Sequence, residues 1–214
     1  MKSIAPLKFY LFLIALFATG LYSCYKCHKA RHYGQQQETR KYLPRLNNGS
    51  YFVYRNTADT TDVDTLYVVQ NSDTFAFHFA EKQCDGDYFE RQNTALVFAK
   101  DRDTVTSTIN SGTAEDDYAM HGSYKASTLF SYYSVDPAGN ILTTTADALK
   151  KLPTYSIAGN TYNDVISVTT PVYTIGKQLV VYYAAGIGII QYDTYDEENA
   201  VVTGTYQLVS YSIK

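Results

Sequence analysis

The chain has 214 residues, 45% hydrophobic and 18% charged, which is enough apolar material for a folded core and too much for a wholly disordered chain. Net charge is −3 but unevenly spread: +2 over residues 1–24, +5 over 25–48, and −10 over 49–214. So acidic a body argues against a nucleic-acid partner, because phosphate binding requires a basic surface. The aromatic set is 22 Tyr and 10 Phe with no Trp. Tyr, Phe, Thr and Val fit pleated, half-buried surfaces, so the composition predicts a mainly β protein.

Residues 1–8 carry Lys2 and Lys8, and Phe9 to Gly20 form an uncharged apolar run. That run is shorter than the roughly 20 residues a spanning helix needs and matches the core of an export signal. It ends in Leu21-Tyr22-Ser23-Cys24, which resembles the lipobox of bacterial lipoproteins, although Tyr22 is bulkier than the pattern usually carries. The resemblance implies cleavage before Cys24, a diacylglycerol on its thiol and an acyl chain on its new amine. Each buried CH₂ then contributes about 0.8 kcal/mol to membrane anchoring. The alternative is an uncleaved N-terminal anchor helix.

The same place holds a competing motif. Cys24-Tyr25-Lys26-Cys27-His28 matches C-x-x-C-H, the attachment sequence for c-type haem. Cys24 and Cys27 would form thioethers and His28 would be an axial ligand, with Met120 or another His as the sixth. Lipidation of Cys24 and haem attachment exclude each other, and the surrounding chain lacks the helical periodicity of a small cytochrome c. With Cys24 lipidated, Cys27 and Cys84 remain. Exported proteins live where disulfides persist, so a Cys27–Cys84 bridge is one reading and two unpaired thiols the other.

Residues 25–48 are polar without a clear amphipathic pattern and read as a basic tether, becoming ordered near Tyr42-Leu43-Pro44. Its charges suit anionic lipid headgroups or a solvated linker. A β-rich domain follows over 49–214. Strands are expected at Gly49–Arg55, Val63–Gln70, Thr74–Ala80, Tyr88–Phe98 and Thr104–Ile109, with turns at 56–62, Asn71-Ser72-Asp73 and 83–87. Phe75, Phe77 and Phe79 alternate onto one face. Residues 111–123 read as a loop. Ser127–Val135 and Ile141–Thr144 flank a turn, Pro137-Ala138-Gly139-Asn140. The one helix is expected at Ala146–Leu152, capped by Thr145 and ended by Pro153.

The last third is the clearest. Tyr155–Ile157 and Val165–Val168 flank Ala158-Gly159-Asn160 as a hairpin. Gln178–Tyr183 and Ile189–Tyr192 flank Ala184–Gly188, Asp193–Asn199 form an acidic connection, and Thr203–Ile213 is the final strand. Turns at this spacing predict an antiparallel meander, barrel or sandwich with at most one short helix. The stretch Tyr182-Tyr183-Ala184-Ala185-Gly186-Ile187-Gly188-Ile189-Ile190-Gln191-Tyr192, ending in a terminal strand, resembles the C-terminal part of small lipoproteins of Bacteroidota-type bacteria. Their families are mostly uncharacterised, so the resemblance implies an envelope location and no activity. Some surface-exported members carry acids after the lipid cysteine; here Tyr25, Lys26, Cys27 and His28 stand there, which implies an outer-membrane anchor facing the periplasm.

No catalytic motif is present: G-x-S-x-G, H-E-x-x-H and P-loop patterns are all absent. Gly186-Ile187-Gly188 lacks the third glycine of a dinucleotide loop and suits a bulge or tight turn. His28 and His32 are four apart, a metal spacing only on a helix. His78 and His121 join no motif. Asp193, Asp196, Glu197 and Glu198 lack the ligand order of a calcium loop and read as solvated charges. Cys84 has no evident activating base. Asp64-Thr65-Leu66 and Asp103-Thr104-Val105 resemble the O-glycosylation pattern of Bacteroidota. The tyrosines fill a core or line a ligand site. The expectation is a membrane-anchored envelope lipoprotein without metal or cofactor, a non-enzymatic binding or structural module. Its partner is an envelope protein, a glycan or an apolar ligand, with a c-type haem electron carrier as the rival reading.

Overall fold

The structure, a computed structural model, describes residues 29–35, 37–79, 86–100, 102, 104–110, 117–123, 131–135, 141–142, 149–172, 177–196 and 201–214. Its order is β1 (His32–Tyr33), α1 (Gln37–Tyr42), β2 (Tyr51–Asn56), β3 (Val63–Phe79), β4 (Gly86–Phe98), β5 (Thr104–Asn110), β6 (Asp117–Ser123), β7 (Ser131–Val135), β8 (Ile141–Leu142), β9 (Leu149–Ile157), β10 (Asn160–Val172), β11 (Lys177–Ala184), β12 (Gly188–Asp196) and β13 (Val201–Ser212). The expected mainly β class is what the chain adopts.

Two runs of antiparallel strands make a single sheet. β2 to β8 lead to one edge, β9 to β13 return from the other, and β13 pairs with β2 to join them. β1 adds to β4 in parallel, with His32 opposite Tyr88 and Tyr33 opposite Phe89. β7 is brought against β10, so the sheet curls into a half-barrel. β2 shows how the inner face is chosen. Phe52, Tyr54 and Asn56 are buried while Tyr51, Val53 and Arg55 face outward, the period of two that a one-sided core demands. Leu66, Val68, Leu96, Phe98, Ile190, Tyr192 and Leu208 join Phe52 and Tyr54 in the core.

With no Trp in the chain, tyrosines supply the bulk. Tyr54 and Tyr183 are fully buried, and the Tyr54 hydroxyl donates to the Ile189 carbonyl at 3.0 Å. Tyr54 meets Tyr192 edge-on at 5.0 Å, within the range aromatic pairs prefer. Burial pushes the Tyr54 phenol well above its usual value, so it stays neutral.

Four local expectations are corrected. Leu149–Leu152 belong to β9; the helix is instead α1, in the stretch read as a tether. α1 carries Glu38 in its first turn and Arg40 and Lys41 in its last, the charge order its dipole favours. Pro44 stops it, since the residue before a proline is pushed out of the helical region. Asn71-Ser72-Asp73 make no turn: β3 runs through them, paired to Thr94, Asn93 and Gln92. The register shifts between Val68 and Gln70, so Val69 is an extra residue that restores the inward phase for Asn71 and Asp73. Residues 117–123 of the expected loop form β6, and Asp193 to Asp196 of the expected connection continue β12.

The β9–β10 hairpin is closed by Ala158 and Gly159, both at positive φ, 47° and 81°. Ile157 pairs with Asn160 across them, so this is the two-residue turn whose twist matches the strands. Alanine is the wrong residue for its first position, because Cβ crowds the carbonyl in the left-handed region. Ala158→Asn is expected to raise stability by about 0.5–1 kcal/mol; an unchanged or lower urea midpoint would contradict this geometry.

Candidate functional site

The stretch before β2 is built into the molecule. β1 runs along β4, α1 crosses the open side of the half-barrel, and Leu43 enters the core. Thr39 and Tyr42 are fully buried, three residues apart on one face of α1. On one side α1 meets the β4 strand. Glu90, buried at 5% exposure, is paired with Arg40, lies 3.7 Å from Arg45, and accepts the Gln35 main-chain N–H at 2.8 Å. Arg45 is also paired with Asp73 on β3. A buried carboxylate is tolerable only with such partners.

On the other side α1 meets β10 and the β11–β12 turn. The Tyr42 hydroxyl donates to Asp164 Oδ1 at 2.6 Å, and Lys41 is paired with the same carboxylate. Lys41 first and Tyr42 second hold the Asp164 carboxyl below its usual range. Burial first, and Asp164 next, push the Tyr42 phenol up. Asp164 sits at φ 53°, a left-handed position that Asp tolerates better than most residues. Its carbonyl accepts the Ala185 N–H at 3.1 Å, and the Gly186 N–H donates to the Lys41 carbonyl at 2.7 Å. Gly186 and Gly188 have φ 74° and 99°, so this glycine pair makes the expected tight turn and seats it on α1.

Beside this contact lies an open recess of about 690 Å³, lined by Asn160, Tyr162, Asn163, Asp164, Ile187, Val209, Ser210 and Tyr211 among others. Its size is that of a small-molecule site, and it sits at the mouth of the curled sheet, where barrels usually bind. Tyr211 is 43% exposed and stacks on Phe52, with ring centroids 6.4 Å apart. Amides, a hydroxyl and the exposed Tyr211 ring suit a hydroxyl-rich ligand with an apolar face. No local motif marks this set, because β10, the β11–β12 turn and β13 come together only through sheet curvature.

The residues singled out in the sequence fare differently. Cys24, Cys27, His28 and Cys84 lie outside the described residues. Parallel pairing of β1 with β4 sets His32 opposite Tyr88, five residues after Cys27 and four after Cys84 in the sequence. His32 stands in a strand rather than a helix, stacked on Tyr88 at 4.5 Å. Asp193 accepts the Val180 N–H at 2.9 Å and the Thr205 hydroxyl at 2.7 Å, a strand-bracing role. Asp64 accepts the main-chain N–H groups of Thr65 and Lys100 at 2.7 and 3.1 Å, and Thr65 lies within β3. Three of the six cations in 25–48, Arg40, Lys41 and Arg45, pair with acids of this chain rather than standing on a solvated linker.

Two outcomes test this arrangement. Removing the Tyr42 hydroxyl (Tyr42→Phe) should cost about 1–2 kcal/mol, and Tyr42→Ala about 3–5 kcal/mol, in denaturant unfolding; near-neutral effects would mean that α1 does not close the sheet. The second concerns Asp62, which accepts bonds from Lys100 at 2.6 Å, the Tyr206 hydroxyl at 2.5 Å and Asn56 at 3.1 Å. Lys100 first, then Tyr206, lower its carboxyl from 3.8 to about 2. A depressed folded value gives stability that is present above about pH 4 and lost as pH falls through about 2. The loss should be on the order of 1 kcal/mol after solvent screening, and Asp62→Asn should flatten it. Urea midpoints of both proteins across that window read the difference.

No protein-family model matches the chain, and no curated protein or solved structure does either.

Proposed function

We propose that this protein is a bacterial envelope lipoprotein, held on the membrane by acyl chains on Cys24, and that its half-barrel acts there as a non-enzymatic binding or structural module. The reading rests on the lipobox-like Leu21-Tyr22-Ser23-Cys24 after a short apolar run. The single structural observation that supports it is the packing of the stretch before β2 on the sheet, through β1 on β4 and α1 on β4 and β10. Lys29 is five residues from Cys24, and five residues span at most about 18 Å. An anchor at Cys24 therefore holds the domain close to the bilayer instead of letting it roam on a long tether. The absence of an acidic run after Cys24 supports an outer-membrane location facing the periplasm.

A second reading concerns the ligand. Tyr54, Tyr183, Ile190 and Leu208 fill the inside of the described half-barrel, and α1 lies over it. Among the described residues an open recess lies at Asn160, Asn163 and Tyr211, whose amides and exposed ring favour a glycan over an apolar guest.

The decisive measurement is the intact mass of protein extracted from host membranes. We expect a chain beginning at Cys24 with added acyl mass; before reduction, the loss of two hydrogens would mean a Cys27–Cys84 bridge and an unchanged mass two free thiols. A haem increment on Cys24 and Cys27, with His28 as axial ligand, would replace this reading with an electron carrier. A full-length mass would mean a retained N-terminal anchor.

A further inference from the structure

The inner face of the β3–β4 arm continues beyond the core. Past Glu90 it carries a ring cluster. Phe77 lies against Tyr88 at 4.9 Å, His32 is stacked on Tyr88, and Phe75 meets His32 edge-on at 5.2 Å. Phe75 remains 48% exposed. The chain enters the described structure at this same place. The Arg31 N–H donates to Asp87 Oδ1 at 2.8 Å, the Tyr88 N–H donates to the Arg31 carbonyl at 2.8 Å, and exposed Lys29 comes just before.

We propose that this cluster is a membrane-docking surface: Phe75, Phe77, Tyr88 and His32 rest in the headgroup region of the bilayer that holds Cys24. The inference rests on the anchor reading above. Three observations point to a bilayer as the occupant. The chain leaves for Cys24 from this tip, so the anchor brings lipid within about 18 Å of Lys29. Tyr88 has the apolar body and polar tip of a residue that settles at membrane interfaces, and Phe75 and Phe77 add apolar ring area beside it. Lys29 and Arg31 are exposed just before β1, where they suit anionic headgroups. Asp87 faces Arg31, so the rings carry the contact and charge only assists it. Two points of attachment fix the domain end-on. The recess near Tyr211 then faces away from the membrane, because Tyr211 pairs with Phe52, Phe52 with Leu66, and Leu66 lies on the order of 30 Å along β3 from the tip.

The absence of Trp makes a direct test available. Phe75→Trp places a single reporter at the tip, Phe77→Trp places a second on the same face, and Tyr67→Trp places a control on the exposed outer face of β3. Each acylated mature protein is reconstituted in phosphatidylethanolamine–phosphatidylglycerol vesicles with and without brominated acyl chains. The expected result is about twofold quenching of both tip reporters and no quenching of the control. Equal quenching of all three, or none, in protein with acyl mass overturns the docking surface and leaves the anchor intact. Protein without acyl mass overturns the anchor reading and the docking proposal with it.

Discussion

The seating of Tyr42 in the open side of the curled sheet is the contact on which the rest depends. One fully buried side chain ties α1 to β10 through Asp164, and the Lys41 carbonyl beside it receives the turn between β11 and β12. The two runs of strands are paired through β2 and β13 and meet again where β7 is brought against β10. α1 spans them, holding β4 through Arg40 and Glu90 and β10 through Lys41 and Asp164. The recess at the mouth depends on the same closure, since Asp164 belongs both to its wall and to the bond with Tyr42.

The polar interior of the arm follows from this arrangement. Glu90, Gln92 and Thr94 alternate inward along β4 and are buried, an unusual run for a core face. Arg40 and Arg45 make it tolerable by meeting Glu90 and Asp73, so the basic stretch and the acidic body are two halves of one internal pairing. Such a pairing adds little net stability but makes one docking of the N-terminal stretch far better than its alternatives, because a misplaced α1 strands a buried carboxylate. Beyond Glu90 the same face turns aromatic, and there the structural demand gives way to an exposed surface.

Tyrosine carries both roles. Tyr54 and Tyr192 supply ring volume in the core, and burial pushes both phenols up so that they remain neutral donors. Tyr211 presents its ring at the mouth, while Tyr162 lines the recess from the core. A residue with an apolar body and a polar tip serves a thin half-barrel well, because few positions are deep enough to hide a wholly apolar ring.

Much of the architecture was legible locally. The strand-rich composition, the alternation of Tyr51 to Asn56, the Ala158-Gly159 turn and the Gly186-Ile187-Gly188 turn each depend on neighbours in sequence, so the sequence by itself determined the β class and most of the C-terminal third. The proposed membrane address rests on an equally local signal, Leu21 to Cys24. What only the tertiary structure decided are the places where local preference yields to distant partners. Asn71-Ser72-Asp73 look like a turn, yet they stay in β3 because β4 pairs with them and Arg45 meets Asp73. Six residues are too few for α1 to show a helical period, so its buried face appears only once Glu90 and Asp164 are beside it. Leu149 to Leu152 are held as strand by the β10 ladder, against their local helical spacing. The recess and the ring cluster join residues of separate strands, and only the pairing and curvature of the sheet bring them together.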